Sequence, residues 1–193
     1  MGREENLMAR IKRDWGQLIT AECKLSSVPE AFIAALIANE SGGKLDSRRF
    51  EPHVYNAFQA VLMGNRPTYN GLNQSQLLVA LTDSKGKIND AKLRLISSSI
   101  GLTQIMGFHV LRDNKEPEKL LEPKFNLRSC LKLLACFHEW YGLDLRNEFS
   151  DMFKVWNTGS LSLKKKTFDP GYINLGLLRI NLYRGLSKDA PLG

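Results

Sequence analysis

Cysteine is scarce in this sequence and does not pair up. There are three, Cys23, Cys130 and Cys136, an odd number that excludes a complete disulfide framework. Cys130 and Cys136 stand six apart inside an apolar stretch, which is not a metal-ligand spacing, so no metal or other cofactor is expected and the thiols read as plain buried or half-buried side chains. Long apolar runs are missing too: nothing approaches the roughly 18 residues of a membrane-spanning helix. The opening MGREENLMARIKRDW is polar and lacks an apolar centre, which excludes a secretory signal. Asn6 stands where myristoylation needs Ser or Thr. Sustained alternation of β-branched with polar residues is also absent, which argues against a sheet protein. No internal repeat is visible, and the only low-complexity tract is Lys164-Lys165-Lys166.

What is present is ordinary in amount and basic in balance. Hydrophobic residues make up 43% and charged residues 24% of 193 positions, which is the composition of a globular chain and not of a disordered one. That length suits one domain, 1–193, able to bury roughly 70% of its unfolded surface without a metal or disulfide. The net charge of +7 favours an anionic partner: nucleic acid, a membrane surface or an anionic cell wall.

The punctuation is helical, and the predicted fold class is mainly α. Residues 4–22 form a first helix with Leu7, Ile11, Trp15, Leu18 and Ile19 on one side. Ser27-Val-Pro-Glu30 reads as a capping box with Pro29 at the first helical position, opening a helix over 28–41 that Gly42-Gly43 stops. Residues 44–97 carry turn signals around short helical patterns near 54–62, 75–82 and 89–96, and read as an insertion packed on the main body. Residues 101–112 begin with Gly and turn helical. Asn126 caps a strong helix, 127–141, closed by Gly142. Short helices follow at about 148–156 and from Asp169-Pro170 to about 184.

The helix over 28–41 holds the most informative position. At 100° per residue Val28, Phe32, Ile33, Leu36 and Ile37 form an apolar stripe, and Glu40 falls inside it, in the last turn where the helix dipole is negative. Desolvation and the dipole both disfavour a carboxylate there and raise its pKa. A glutamic acid kept protonated near neutral pH is what a general acid needs. Ser41-Gly42-Gly43 beside it supplies a hydroxyl and room for a bulky ligand.

Three segments carry a resemblance. Ala34-Ala-Leu-Ile-Ala-Asn-Glu40-Ser41-Gly-Gly resembles the catalytic glutamate motif of the soluble lytic transglycosylase and goose-type lysozyme superfamily. Ser98-Ser-Ile-Gly101-Leu102-Thr103-Gln104-Ile105-Met106 resembles its glycine-leucine-x-glutamine motif, and Val155-Trp156-Asn157-Thr158-Gly159 its aromatic-asparagine-x-glycine motif. Tyr172 lies where the family often has a tyrosine opening its last helix. The order of the motifs is more specific than any one of them, and they span about 28–43 and 98–184. The sequence departs from the family in the long stretch 41–100 between the first two motifs, and in Trp156 where a tyrosine is usual. The resemblance implies a lysozyme-like fold that cleaves the β-1,4 bond between N-acetylmuramic acid and N-acetylglucosamine in peptidoglycan. It implies Glu40 as acid/base, with Ser41 at the substrate and Gln104 bonding the sugar beside the broken bond. Gly101 would let the backbone approach the glycan, Asn157 order a helix end at the cleft, and Tyr172 hydrogen-bond the glutamate. The implied partner is the glycan strand, with a monomer acting at the cell wall, in the periplasm or outside the cell, by an export route the sequence leaves open.

The superfamily splits on mechanism. A transglycosylase uses one glutamate as acid and then base, the muramic 6-hydroxyl attacking to give a 1,6-anhydro sugar; this is the favoured reading. An inverting hydrolase has a second carboxylate about 6.5–9.5 Å away, for which Asp46 and Glu51 are candidates. Arg49-Phe50-Glu51-Pro52-His53-Val54-Tyr55 also resembles the phenylalanine-glutamate-x-histidine segment of a phage-type N-acetylmuramidase family, against which stands a surface ion pair of Glu51 with Arg48 or Arg49. Two other classes compete: a non-catalytic wall-binding protein and a basic nucleic-acid binder. Scattered basic residues and the lack of a clear helix-turn-helix or stacking-aromatic pattern argue against nucleic acid as the partner.

Overall fold

A computed structural model of the chain describes residues 2–162 and 169–186; Lys164-Lys165-Lys166 lies outside them. The described residues are mostly helical, with a few short strands. No described helix is long and apolar enough to cross a membrane.

The centre is a helix with no polar side. In α2, Glu30–Glu40, every residue from Ala31 to Ala38 is buried. Alanines 31, 34, 35 and 38 close the gaps between Phe32, Ile33, Leu36 and Ile37, so the expected stripe is a cylinder that is apolar all round, as a core helix must be. The capping box does not form: α2 starts at Glu30 with Pro29 as N-cap and no side-chain cap. The Glu30 carboxylate instead accepts from Thr20 Oγ1 at 2.7 Å.

Two helices and an aromatic ring lie directly on this cylinder. α1 (Arg3–Cys23) and α9 (Pro170–Gly185) pack directly on α2 and on each other. α7 (Pro123–Tyr141) packs on α1 and on α8 (Phe149–Thr158). α8 sends Phe153 onto Phe32, ring centroids 4.7 Å apart. α9 admits that ring only because residue 176 is glycine: a Cβ there would stand 2.5 Å from the Phe153 ring.

The turn-rich segment is a lobe with its own apolar centre. α3 (Pro52–Leu62), α4 (Gln74–Leu81) and α5 (Asp90–Ile96) surround Phe58, Val61, Leu77, Leu81 and Ile96. A hairpin of β2 (Thr68–Tyr69) and β3 (Leu72–Asn73) turns at Asn70-Gly71. Asn73 caps α4 by accepting from Gln76 N, and Asn89 caps α5 by accepting from Lys92 N. Where the lobes meet, β1 (Arg48–Phe50), β4 (Ser98–Ile100) and β5 (Ile105–Met106) form an antiparallel sheet in the order β1-β4-β5, with Arg48 opposite Ile100 and Ser99 opposite Met106.

This sheet overturns two expectations. Residues 101–112 are not one helix but a turn, β5 and the single helical turn α6 (Phe108–Leu111). Asn126 is not a cap: it lies inside α7, fully buried. Its Oδ1 accepts from Thr103 N–H (3.1 Å) and Thr103 Oγ1 (2.8 Å), and its Nδ2 donates to the carbonyls of Ile100 (3.1 Å) and Leu120 (3.0 Å). A buried turn must satisfy its backbone polar groups, and one amide does so here. Gly101, φ +81°, is glycine for the same reason, since a Cβ would come within 2.3 Å of the Leu120 carbonyl and 2.4 Å of Asn126 Nδ2.

Candidate active site

α2 ends at Glu40 because the chain then turns through Gly42 and Gly43, both at positive φ. The turn is pinned from α1: Trp15 Nε1 donates to the Gly43 carbonyl at 3.1 Å and Arg10 to the Gly42 carbonyl at 2.8 Å. The end of the core helix is thereby fixed where the lobes meet, and Glu40 lines a cavity there of about 820 Å³.

Burial dominates the chemistry of Glu40. It pushes the carboxyl up to about 7, against the Tyr172 hydroxyl, which donates to Oε1, and against the charge of Arg49. Tyr172 rises from the first turn of α9, with its ring edge-on to Phe153 at 5.9 Å. Its own hydroxyl is held well above the usual phenol range by burial and by Glu40. The result is a carboxyl that is half protonated near neutrality, at the wall of an open cavity.

Glu51 lines the same cavity as Glu40. Its Oε1 accepts from Arg49 Nε at 2.7 Å, and Oε2 lies 3.7 Å from His53 Nδ1. Arg49 is largely exposed, so the pair is worth about 0–1 kcal/mol and opens easily. Asp46 is exposed and does not line the cavity.

The remaining sequence candidates separate. Asn157 is exposed on the cavity wall, and its side-chain amide has no hydrogen-bond partner among the described residues. The end of α8 is ordered not by Asn157 but by Gly159, at φ +68°, and by Thr158 Oγ1, whose one proton lies within reach of the Lys154 and Ser160 carbonyls and which accepts from Ser160 N–H. Gln104 lines the cavity, but both its amide hydrogens are taken, by the carbonyls of Gly101 (2.8 Å) and Ser47 (3.0 Å), while Oε1 accepts from Ser99 Oγ (2.9 Å). It therefore clasps the β4–β5 turn and has only an acceptor lone pair left for a ligand. Ser41 is off the cavity: its hydroxyl donates to the Leu102 carbonyl at 2.8 Å and ties α2 to the same turn. Gly101 is buried against Leu120 and Asn126 and meets no ligand space.

Sequence reasoning missed the far walls. Trp140, 57% exposed in the last turn of α7, lines the cavity beside Phe137 and Trp156; the ring centroids are 6.0 Å apart for Phe137 and Trp140 and 6.2 Å for Phe137 and Trp156. Tyr141 Oη donates to the Gly159 carbonyl at 3.0 Å and fixes the end of α7 to that of α8. An exposed Trp closing an amphipathic helix was the available signal. On the small lobe, Tyr69, Asn70, His109 and Arg112 face the same space. Burial, aided by Arg112, pushes His109 down to about 4, so its imidazole is neutral at pH 7. Among the described residues no group of three or more His, Cys, Asp or Glu is placed to hold a metal ion.

No protein-family model, curated protein or solved structure matches this chain.

Proposed function

We propose that this chain is a lysozyme-like enzyme that cleaves the β-1,4 bond between N-acetylmuramic acid and N-acetylglucosamine in peptidoglycan, with Glu40 as general acid and then base. The observation that carries this reading is the Glu40 carboxyl, raised to about 7 by burial, lining a cavity of about 820 Å³ between the lobes. A protonated Glu40 donates to the leaving 4-oxygen. The resulting carboxylate, steadied by the Tyr172 hydroxyl, then takes a proton from the attacking oxygen. Trp156 and Trp140 offer flat faces for the apolar side of a sugar ring. Asn157 offers a free amide for an N-acetyl group or hydroxyl. The net charge of +7 suits an anionic wall polymer.

The favoured product is a 1,6-anhydro muramic end, formed when the muramic 6-hydroxyl attacks and Glu40 serves alone. The presence of Glu51 on the same cavity favours a second reading, in which Glu51, freed from Arg49, activates water and a reducing end results. Borohydride reduction of the released fragments separates them. Unreducible muramic ends, together with a Glu51→Gln variant that keeps most of its activity, are expected for the first. Reducible ends, with Glu51→Gln inactive, belong to the second.

The acid role fixes a pH dependence. Only protonated Glu40 starts the reaction, so kcat/KM on solubilised glycan strands is expected to be flat below about pH 6 with respect to this group. It should then fall through a midpoint near 7 towards a tenfold loss for each further pH step. A rate that rises steadily through pH 7–9 would contradict the assignment.

A further inference from the structure

Arg179 is a charged side chain only 7% exposed, in the middle of α9, and its two arms have different partners. Nε donates to Oε2 of Glu4, in the first turn of α1, at 2.7 Å. Nη1 donates to Oδ1 of Asn39, also at 2.7 Å. The pair with Glu4 accounts for a buried cation, which must be matched by an opposite charge. It does not account for the second arm, which lands on a neutral amide immediately before Glu40. The other half of that amide, Asn39 Nδ2, donates to the Tyr172 carbonyl at 3.0 Å. With a guanidinium on its oxygen the amide cannot turn over, since that would set donor against donor. Arg179 and Tyr172 are seven residues apart, two turns along one face of α9. The helix bearing the tyrosine is thus fastened to the helix bearing the glutamate at two heights, and the outermost link is the Tyr172 hydroxyl on Glu40.

We propose that Arg179 and Asn39 are positioning residues that hold Tyr172 against Glu40, with Glu4 as the anchor of the chain. The proposal deepens the reading of Glu40 as the acid and rests on it. Arg179 acts through position, because the cation whose charge bears on Glu40 is Arg49. The titratable and charged groups coupled to Glu40 are Tyr172 on α9, Arg49 on β1 and Cys130 on α7.

The test follows the side-chain carboxyl of Glu40 by carbon-13 NMR in glutamate-labelled protein, comparing Arg179→Lys, Asn39→Ala and Tyr172→Phe with the wild type. Arg179→Lys keeps a charge for Glu4 but replaces the two-armed fork with a point donor. Asn39→Ala is a small change at a half-buried site and serves if the lysine variant does not fold. The Glu40 midpoint, near 7 in the wild type, is expected to move up in both variants, in the direction set by Tyr172→Phe, because a loosened hydroxyl no longer favours the carboxylate. On glycan strands kcat should fall about tenfold with KM unchanged, the mark of a contact made in the transition state. A Glu40 midpoint that stays at the wild-type value in folded Asn39→Ala overturns the proposal. The titration needs no substrate, so a wild type that leaves sacculi intact would refute the peptidoglycan reading and not the positioning.

Discussion

Replacing Glu40 with Gln is expected to lower wall-lytic activity by at least about 100-fold, the low end of what a general acid contributes, while the fold remains intact. The amide matches the acid in size and still accepts from the Tyr172 hydroxyl, but it has no proton to give. The same substitution should make the protein more stable at alkaline pH. Burial raises Glu40 from 4.5 to about 7 in the folded state, so the folded chain holds that proton more tightly than the unfolded one. Stability attributable to this group is therefore highest below about 4.5, declines as pH rises towards 7, and is level above it. Glu40→Gln escapes that decline. It should unfold at a higher temperature than the wild type at pH 8, by the equivalent of about 1–3 kcal/mol, and at nearly the same temperature at pH 4. Calorimetry at the two pH values, beside a sacculus turbidity assay, reads both effects. Gain of stability with loss of function at one residue is what a desolvated acid in a working site produces, and a surface glutamate would show neither.

The largest loss of stability is expected at Asn126. Leucine has nearly the same size but removes all four hydrogen bonds, leaving the Leu120 carbonyl and the Thr103 N–H unpaired in a dry interior and the Ile100 carbonyl with only its β5 partner. Each orphaned group costs about 1–3 kcal/mol, and with partial relaxation the total for Asn126→Leu is about 3–5 kcal/mol, measured by urea unfolding. Activity should fall as well, because the freed β4–β5 turn carries Gln104 to the cavity. A change below about 1 kcal/mol would show that the turn does not depend on this amide.

Asn126 also shows where sequence reading stops. An asparagine before an apolar helical run is a good cap by local rules, and nothing nearby reveals that a turn more than twenty residues upstream has a stronger claim on it. Gly101 is similar: a glycine beside a ligand-binding motif suggests backbone approach to a ligand, whereas the approach is to Leu120 and Asn126. α2 was legible because its signals are local and agree: an unbroken apolar run, Pro29 before it, Gly42-Gly43 after it, and one carboxylate at its end. The role of Glu30 was not, because Thr20, from the preceding helix, takes the carboxylate that a capping box would use. Trp140, His109 and Arg112 reach the cavity from elements far apart in sequence, and only the packing of the two lobes brings them together.

The most direct measurement of the central claim is the chemistry of the cut ends when the wild-type protein digests purified sacculi, read by mass spectrometry of the soluble fragments. Every fragment released by the wild type is expected to carry muramic acid at its reducing or 1,6-anhydro end and N-acetylglucosamine at its non-reducing end, and none should be released with Glu40→Gln. Fragments with N-acetylglucosamine at the reducing end, or sacculi that release no soluble glycan at any pH from 5 to 8, would contradict this cleavage.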